Sequence, residues 1–215
     1  MSENFSDESS LRLELCATYR ELERLGLSSG SAGNVSARWG EGMLISPAGA
    51  TGANIAPEYF VETALDGAVA GAGKPSSEWA MHAEIYRRQA SAQAVIHAHP
   101  DACVALSCQR RAIPAFHYMI ASYGGNDVPC SEYAPFGSLE LAIVATDALK
   151  DRTACLLANH GMICHAKNLS DALANALKLE VLARQYILSL QIGPPVILTS
   201  EEMAVVRARY KSYGR

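Results

Sequence analysis

The stretch AVIHAHP, residues 94–100, decides how the rest of the chain is read. Small apolar residues running into a proline describe a buried β-strand closed by a residue that cannot extend the ladder. In a strand, residues i and i+2 share a face. His97 and His99 therefore point the same way, close enough to chelate one ion. Buried imidazoles cost free energy unless a partner meets them, so the question becomes which residues do.

Upstream, KPSSEWAMHAE (74–84) reads as a helix running to about Arg88, with Ser76 or Ser77 as its N-cap. Glu78 falls in the first turn, where the helix dipole favours an anion, and is the candidate fourth ligand or general base. His82, four residues on, shares that helix face and reads as structural, as do His117 and His165, which have no partners in the sequence. Downstream, LLANHGM (156–162) places His160 at the end of an apolar strand, directly before a glycine. Three histidines with one open or exchangeable position is the donor pattern of catalytic zinc.

A second theme is small residues with backbone and hydroxyl donors: GSAGN (30–34), SPAG (46–49) and KPSS (74–77). Glycines let a backbone approach an anion, and a serine-led helix start supplies N–H and O–H groups. Together the three predict a phosphate pocket that needs no arginine cluster.

Around these motifs the pattern predicts helices over 10–27, 101–108, 138–150 and 170–190. TSEE (199–202) has capping-box spacing before a last helix to about Arg209. Strands are expected at 35–39, 43–46, 60–65 and 154–159, an extended piece at 112–118, and active-site loops over 122–137. There is no repeat, linker or regular βαβ alternation, so one α/β layered domain spanning 1–215 is expected. The 215 residues are 49% hydrophobic and 19% charged, with a formal charge of −4 and no basic cluster. Nucleic-acid and membrane-surface roles find no electrostatic support. MSENFSDESS at the start lacks a secretory apolar stretch, no run is long enough to span a bilayer, and the six scattered cysteines read as free thiols of a reducing cytoplasm.

GNVS (33–36), SPAG (46–49), KPSSE (74–78), HAH (97–99), IPAFHYMI (113–120), GGN (124–126) and NHG (159–161) together resemble the class II aldolase/adducin family in order and spacing, from about Leu11 to Tyr213. The resemblance implies a three-layer α/β/α single domain with a central, mostly antiparallel mixed sheet, and a cyclic homotetramer with active sites between subunits. It implies one Zn²⁺ per subunit held by His97, His99 and His160, with Glu78 as ligand in the resting enzyme. Phosphate would sit among Gly33, Asn34, Ala48, Gly49, Ser76 and Ser77. Ala48 stands where the family often has threonine, leaving a backbone N–H to serve there. Tyr118 matches a tyrosine that reaches a neighbour's site and handles the proton at the C4 oxygen; Phe136 and Tyr213 match residues shaping the aldehyde end.

The chemistry implied is retro-aldol cleavage of a ketose 1-phosphate to dihydroxyacetone phosphate and an aldehyde, Glu78 protonating C3. L-Fuculose 1-phosphate is the default substrate, with 5-deoxy- and 5-methylthiopentulose 1-phosphates as alternatives. Other readings on the same fold are a pentulose-5-phosphate 4-epimerase, which typically carries aspartate in place of Glu78, a methylthioribulose-1-phosphate dehydratase, and a non-catalytic adducin-like assembly module.

Overall fold

Leu11, Leu15, Tyr19 and Leu22, three and four residues apart, form the buried face of helix α1 (Glu8–Arg24) in the computed structural model, which describes residues 7–210. The Asp7 carboxylate caps it by accepting the Ser10 N–H at 2.7 Å. Then come β1 (Asn34–Trp39), β2 (Gly42–Ile45), β3 (Val61–Ala64), β4 (Val69–Ala70), α2 (Trp79–Arg88), β5 (Ala94–Ala98) and α3 (Asp101–Cys108). A short ribbon of β6 (Ile113–Pro114) and β7 (Asp127–Val128) precedes α4 (Leu139–Ala148), β8 (Ala154–Leu157), β9 (Gly161–Ala166), α5 (Leu169–Ile192) and α6 (Ser200–Tyr210).

The main sheet has seven strands in the order β4-β3-β2-β1-β5-β9-β8. Every pairing within it is antiparallel, and a parallel element enters as a single bridge from Cys130 to Leu156 at the β8 edge. Alternation along β5 divides the layers: Ala94, Ile96 and Ala98 pack with α1, α3 and α5, while Val95 faces the layer of α2 and α4. His97 follows Val95 by two residues and so turns toward α2. In register, Asn34 of β1 stands opposite His97 of β5.

The expected three-layer α/β/α arrangement is present. Three local expectations change, and one strand was not foreseen. The predicted strand 154–159 is a hairpin, with β8 ending at Leu157 and a turn over 158–160 leading into β9, so His160 sits in a turn rather than at a strand end. β9 is hidden in the sequence because Gly161 looks like a stop. Only 113–114 of the expected extended piece 112–118 is strand, and a 3₁₀ helix (Tyr118–Tyr123) follows. Glu78, not a serine, is the N-cap residue of α2. The TSEE motif closes as predicted, Thr199 Oγ1 accepting Glu202 N–H at 3.2 Å and Glu202 Oε2 accepting Thr199 N–H at 2.7 Å. Among the described residues no helix is long and apolar enough to cross a membrane. Tyr213 lies outside the described residues.

Candidate active site

β5, the residue just beyond it and the β8–β9 turn bring His97, His99 and His160 together. Their ligand atoms all lie within 4.8 Å of one another. The rings form a near-regular triangle, with centroid separations of 4.7, 4.7 and 4.8 Å and interplanar angles of 72°, 72° and 74°. His97 Nδ1–H donates to the Met162 carbonyl at 2.8 Å, which fixes the tautomer and leaves the Nε2 lone pair facing the cluster. That lone pair looks at His99 Nε2 from 2.8 Å and at Glu78 Oε2 from 3.0 Å. Electron-rich atoms so close are repulsive unless a cation or protons lie between them. Glu78 Oε1, 3.4 Å from His160 Nε2, is buried without a hydrogen-bond partner. Three imidazoles, a carboxylate and an orphaned oxygen fit a divalent transition-metal ion.

Two close approaches hold this geometry. Gly33 has φ +80°, and a Cβ there would lie 2.6 Å from Ser28 Oγ and 2.8 Å from the His97 carbonyl. Fully buried Ser107 clasps the His160 turn, its Oγ accepting His160 N–H at 3.3 Å and its carbonyl accepting Asn159 N–H at 3.0 Å.

Glu78 reaches the cluster because its side chain makes no capping bond on α2. Ser76 Oγ instead accepts the Glu78 N–H at 3.3 Å. Burial alone would raise the Glu78 carboxyl; positive charge on His97 when its Nε2 is protonated, together with the hydrogen bond from Asn34, overcomes it and holds the carboxyl well below the usual carboxylate range. Burial, with the neighbouring His97, pushes the His99 and His160 imidazoles down to about 4. Asn34 Nδ2 donates to Glu78 Oε2 at 3.1 Å, and its carbonyl oxygen meets His82 Nε2. His82 Nδ1 lies 2.7 Å from Ser36 Oγ, which lies 2.8 Å from the Tyr86 hydroxyl. Burial, then charge on His97, pushes the His82 imidazole down to about 3.

Beside the histidines opens a cleft of about 430 Å³. Gly33, Asn34, Ala48, Gly49, Ser76, Ser77 and Phe136 all line it, together with Glu78, His99 and His160. One expectation is corrected: the Ala48 N–H is already donated to the Lys74 carbonyl at 2.9 Å, because SPAG and KPSS lie side by side, so it is not free for an anion. The side chain of Asn34 is likewise engaged by Glu78 and His82, at its amide and its carbonyl respectively.

Tyr118 does not line this cleft. It is 51% exposed and borders a separate hollow with Met119, Lys178 and Val205. His117 and His165 do structural work, as expected. The first accepts Met119 N–H at 3.2 Å to start the 3₁₀ helix, and the second meets the Arg152 carbonyl at 3.2 Å. Sequence reasoning missed Tyr133 and Asn159, which line the cleft. Arg110 bonds Asn159 Oδ1 at 2.9 Å and lies 5.7 Å from the centre of the Tyr133 ring. The asparagine of NHG and the aromatic residue of YAPFG were the available signals.

Residues 13–187 match the family profile described as class II aldolase and adducin N-terminal domain. The chain is 44% identical over 204 residues to a 5-methylthioribulose-1-phosphate/5-deoxyribulose-1-phosphate aldolase of Rhodospirillum rubrum, covering 95% of this chain and 92% of the relative. It is 43% identical over 209 residues to the L-fuculose phosphate aldolase of Escherichia coli, covering 97% of each. A solved L-fuculose 1-phosphate aldolase superposes with a TM-score of 0.91 at 37% identity, covering 97% of this chain and 98% of that one.

Proposed function

The chain belongs to the class II aldolase and adducin family, and from that premise we propose that it is a zinc-dependent aldolase cleaving ketose 1-phosphates to dihydroxyacetone phosphate and an aldehyde. The observation that carries the reading is the floor of the cleft, where three convergent imidazoles meet a buried carboxylate with one orphaned oxygen. His97, His99 and His160 would hold the ion, with Glu78 beside them. When bound, the ion supplies Lewis-acid stabilisation of the negative charge that develops as the C3–C4 bond breaks.

The remaining steps fall to the protein. Gly33, Gly49, Ser76 and Ser77 seat the phosphate through backbone N–H and hydroxyl donors, with no arginine among the described residues of the lining. In the synthetic direction Glu78, ionised and dry, takes the C3 proton of dihydroxyacetone phosphate; in cleavage its protonated form delivers a proton to C3 while the proton of the C4 hydroxyl leaves through Tyr118. In this reading Tyr118 handles the proton at the C4 oxygen in a neighbour's cleft, a role in keeping with its exposed position away from its own. This supports a cyclic homotetramer with shared sites. Phe136 and Tyr133, which line the cleft, shape the aldehyde half. We place all of residues 1–215 in this one domain, and the protein in the cytoplasm, in keeping with cysteines that are all free among the described residues.

The two relatives named above act, by their names, on substrates that differ beyond C4. The test is a coupled assay for dihydroxyacetone phosphate on zinc-loaded protein. It compares L-fuculose 1-phosphate with 5-deoxy- and 5-methylthioribulose 1-phosphates, with and without chelator. Chelator-sensitive release from any of them supports the aldolase, and the fastest names its substrate. No release from all three in metal-loaded protein refutes it.

A further inference from the structure

The ionised end of a buried hydrogen-bond chain fixes the direction of every bond behind it. A carboxylate only accepts, so the Asn34 group 3.1 Å from Glu78 Oε2 is the amide NH₂, and the Asn34 carbonyl oxygen faces His82. His82 Nε2 therefore carries the ring proton. The ring is fully buried and both its partners, Asn34 and Ser36, are uncharged. A buried imidazole with neutral partners stays neutral. Its Nδ1 is then an acceptor, and the Ser36 hydroxyl donates to it at 2.7 Å. With its one proton used, Ser36 Oγ accepts from the Tyr86 hydroxyl at 2.8 Å. Asn34, Ser36, His82 and Tyr86 are all buried, so water does not compete for these bonds.

The consequence falls on the carboxylate. Oε2 is held by the Asn34 amide, whereas Oε1 is buried with no hydrogen-bond partner. Resting on the aldolase reading, we infer that Tyr86, Ser36 and His82 are positioning residues: a one-way chain that locks the Asn34 amide toward Glu78 and so orients the carboxylate. His82 thereby acts at a distance on the reaction while touching neither substrate nor metal ligand.

Two measurements decide it. Long-range ¹H–¹⁵N correlation spectra of the metal-free and zinc-loaded protein should show His82 protonated at Nε2 and bare at Nδ1; the opposite tautomer, or a doubly protonated ring, overturns the chain's direction. In the coupled assay, Ser36→Ala should lower kcat about tenfold or more, as expected for a misplaced reacting group. KM and zinc content should stay as in the wild type, and Ser36→Thr, which keeps the hydroxyl, should recover most of the lost kcat. A loss seated in KM, or one that threonine does not restore, overturns the positioning role. Should Ser36→Ala not fold, the tautomer of the unmodified protein still decides. A wild-type protein that releases no dihydroxyacetone phosphate refutes the aldolase reading instead, and leaves the spectra to settle the chain.

Discussion

Gly161→Ala perturbs the proposed metal site without touching a ligand. Gly161 opens β9 directly after His160, and a Cβ there would lie 2.5 Å from the Ala98 carbonyl and 2.8 Å from His99 Cδ2. Taking 3.4 Å as the onset of ordinary contact, the strands must part by 0.9 Å at the carbonyl and the His99 ring must give by 0.6 Å. Overpacking of this kind costs about 1–3 kcal/mol of stability. The ring displacement matters more, because disturbing the support of a ligating imidazole weakens metal binding by about 10–100-fold. That range is about 1.4–2.7 kcal/mol of binding free energy. The assay is zinc competition against a chromophoric chelator, with urea unfolding of the metal-free protein alongside. A folded variant that binds zinc with wild-type affinity would refute the claim that this contact sets the His99 ring.

Other outcomes are equally open to test. Glu78→Gln should lower turnover by about 10²–10⁴-fold while zinc stays bound; near-normal activity rejects its acid/base role. His82, His99 and His160 sit at about 3, 4 and 4 against an ordinary 6.5, so the unfolded chain binds more protons below that value. Stability of the metal-free protein is therefore full above about pH 6.5 and falls as pH drops toward 4. Equal urea midpoints at about pH 7.5 and about pH 5 would contradict buried neutral rings. Tyr118→Phe should depress cleavage, yet mixing it with Glu78→Gln should restore activity in about a quarter of the sites of a randomly assembled ring. Failure of the mixture to exceed its components would place Tyr118 outside the neighbour's site.

The candidate metal ligands are legible in sequence because they need only local geometry: an i, i+2 pair beside a proline and a histidine before a glycine. The layers are legible through α1 and α5, whose apolar spacing is long enough to be unambiguous. What hides depends on partners far away in the chain. β9 forms because β5 and β8 flank it, and a six-residue segment beginning with glycine does not announce that. The Ala48 N–H is lost to Lys74, a contact made only when two loops lie together. His82 reads as structural from its helix position; that Ser36 and Asn34 complete a chain to Glu78 appears only once β1 is laid beside α2.

Asn34 stands opposite His97 across the β1–β5 pair, and strands have a side-chain period of two. Shifting β1 by one residue would turn Asn34 and Ser36 into the apolar layer beneath α1 and bring Val35 and Ala37 up beside the histidines. Glu78 would lose its amide and His82 both its partners in the same event. A mispaired chain is thus penalised at the candidate site as well as in the core.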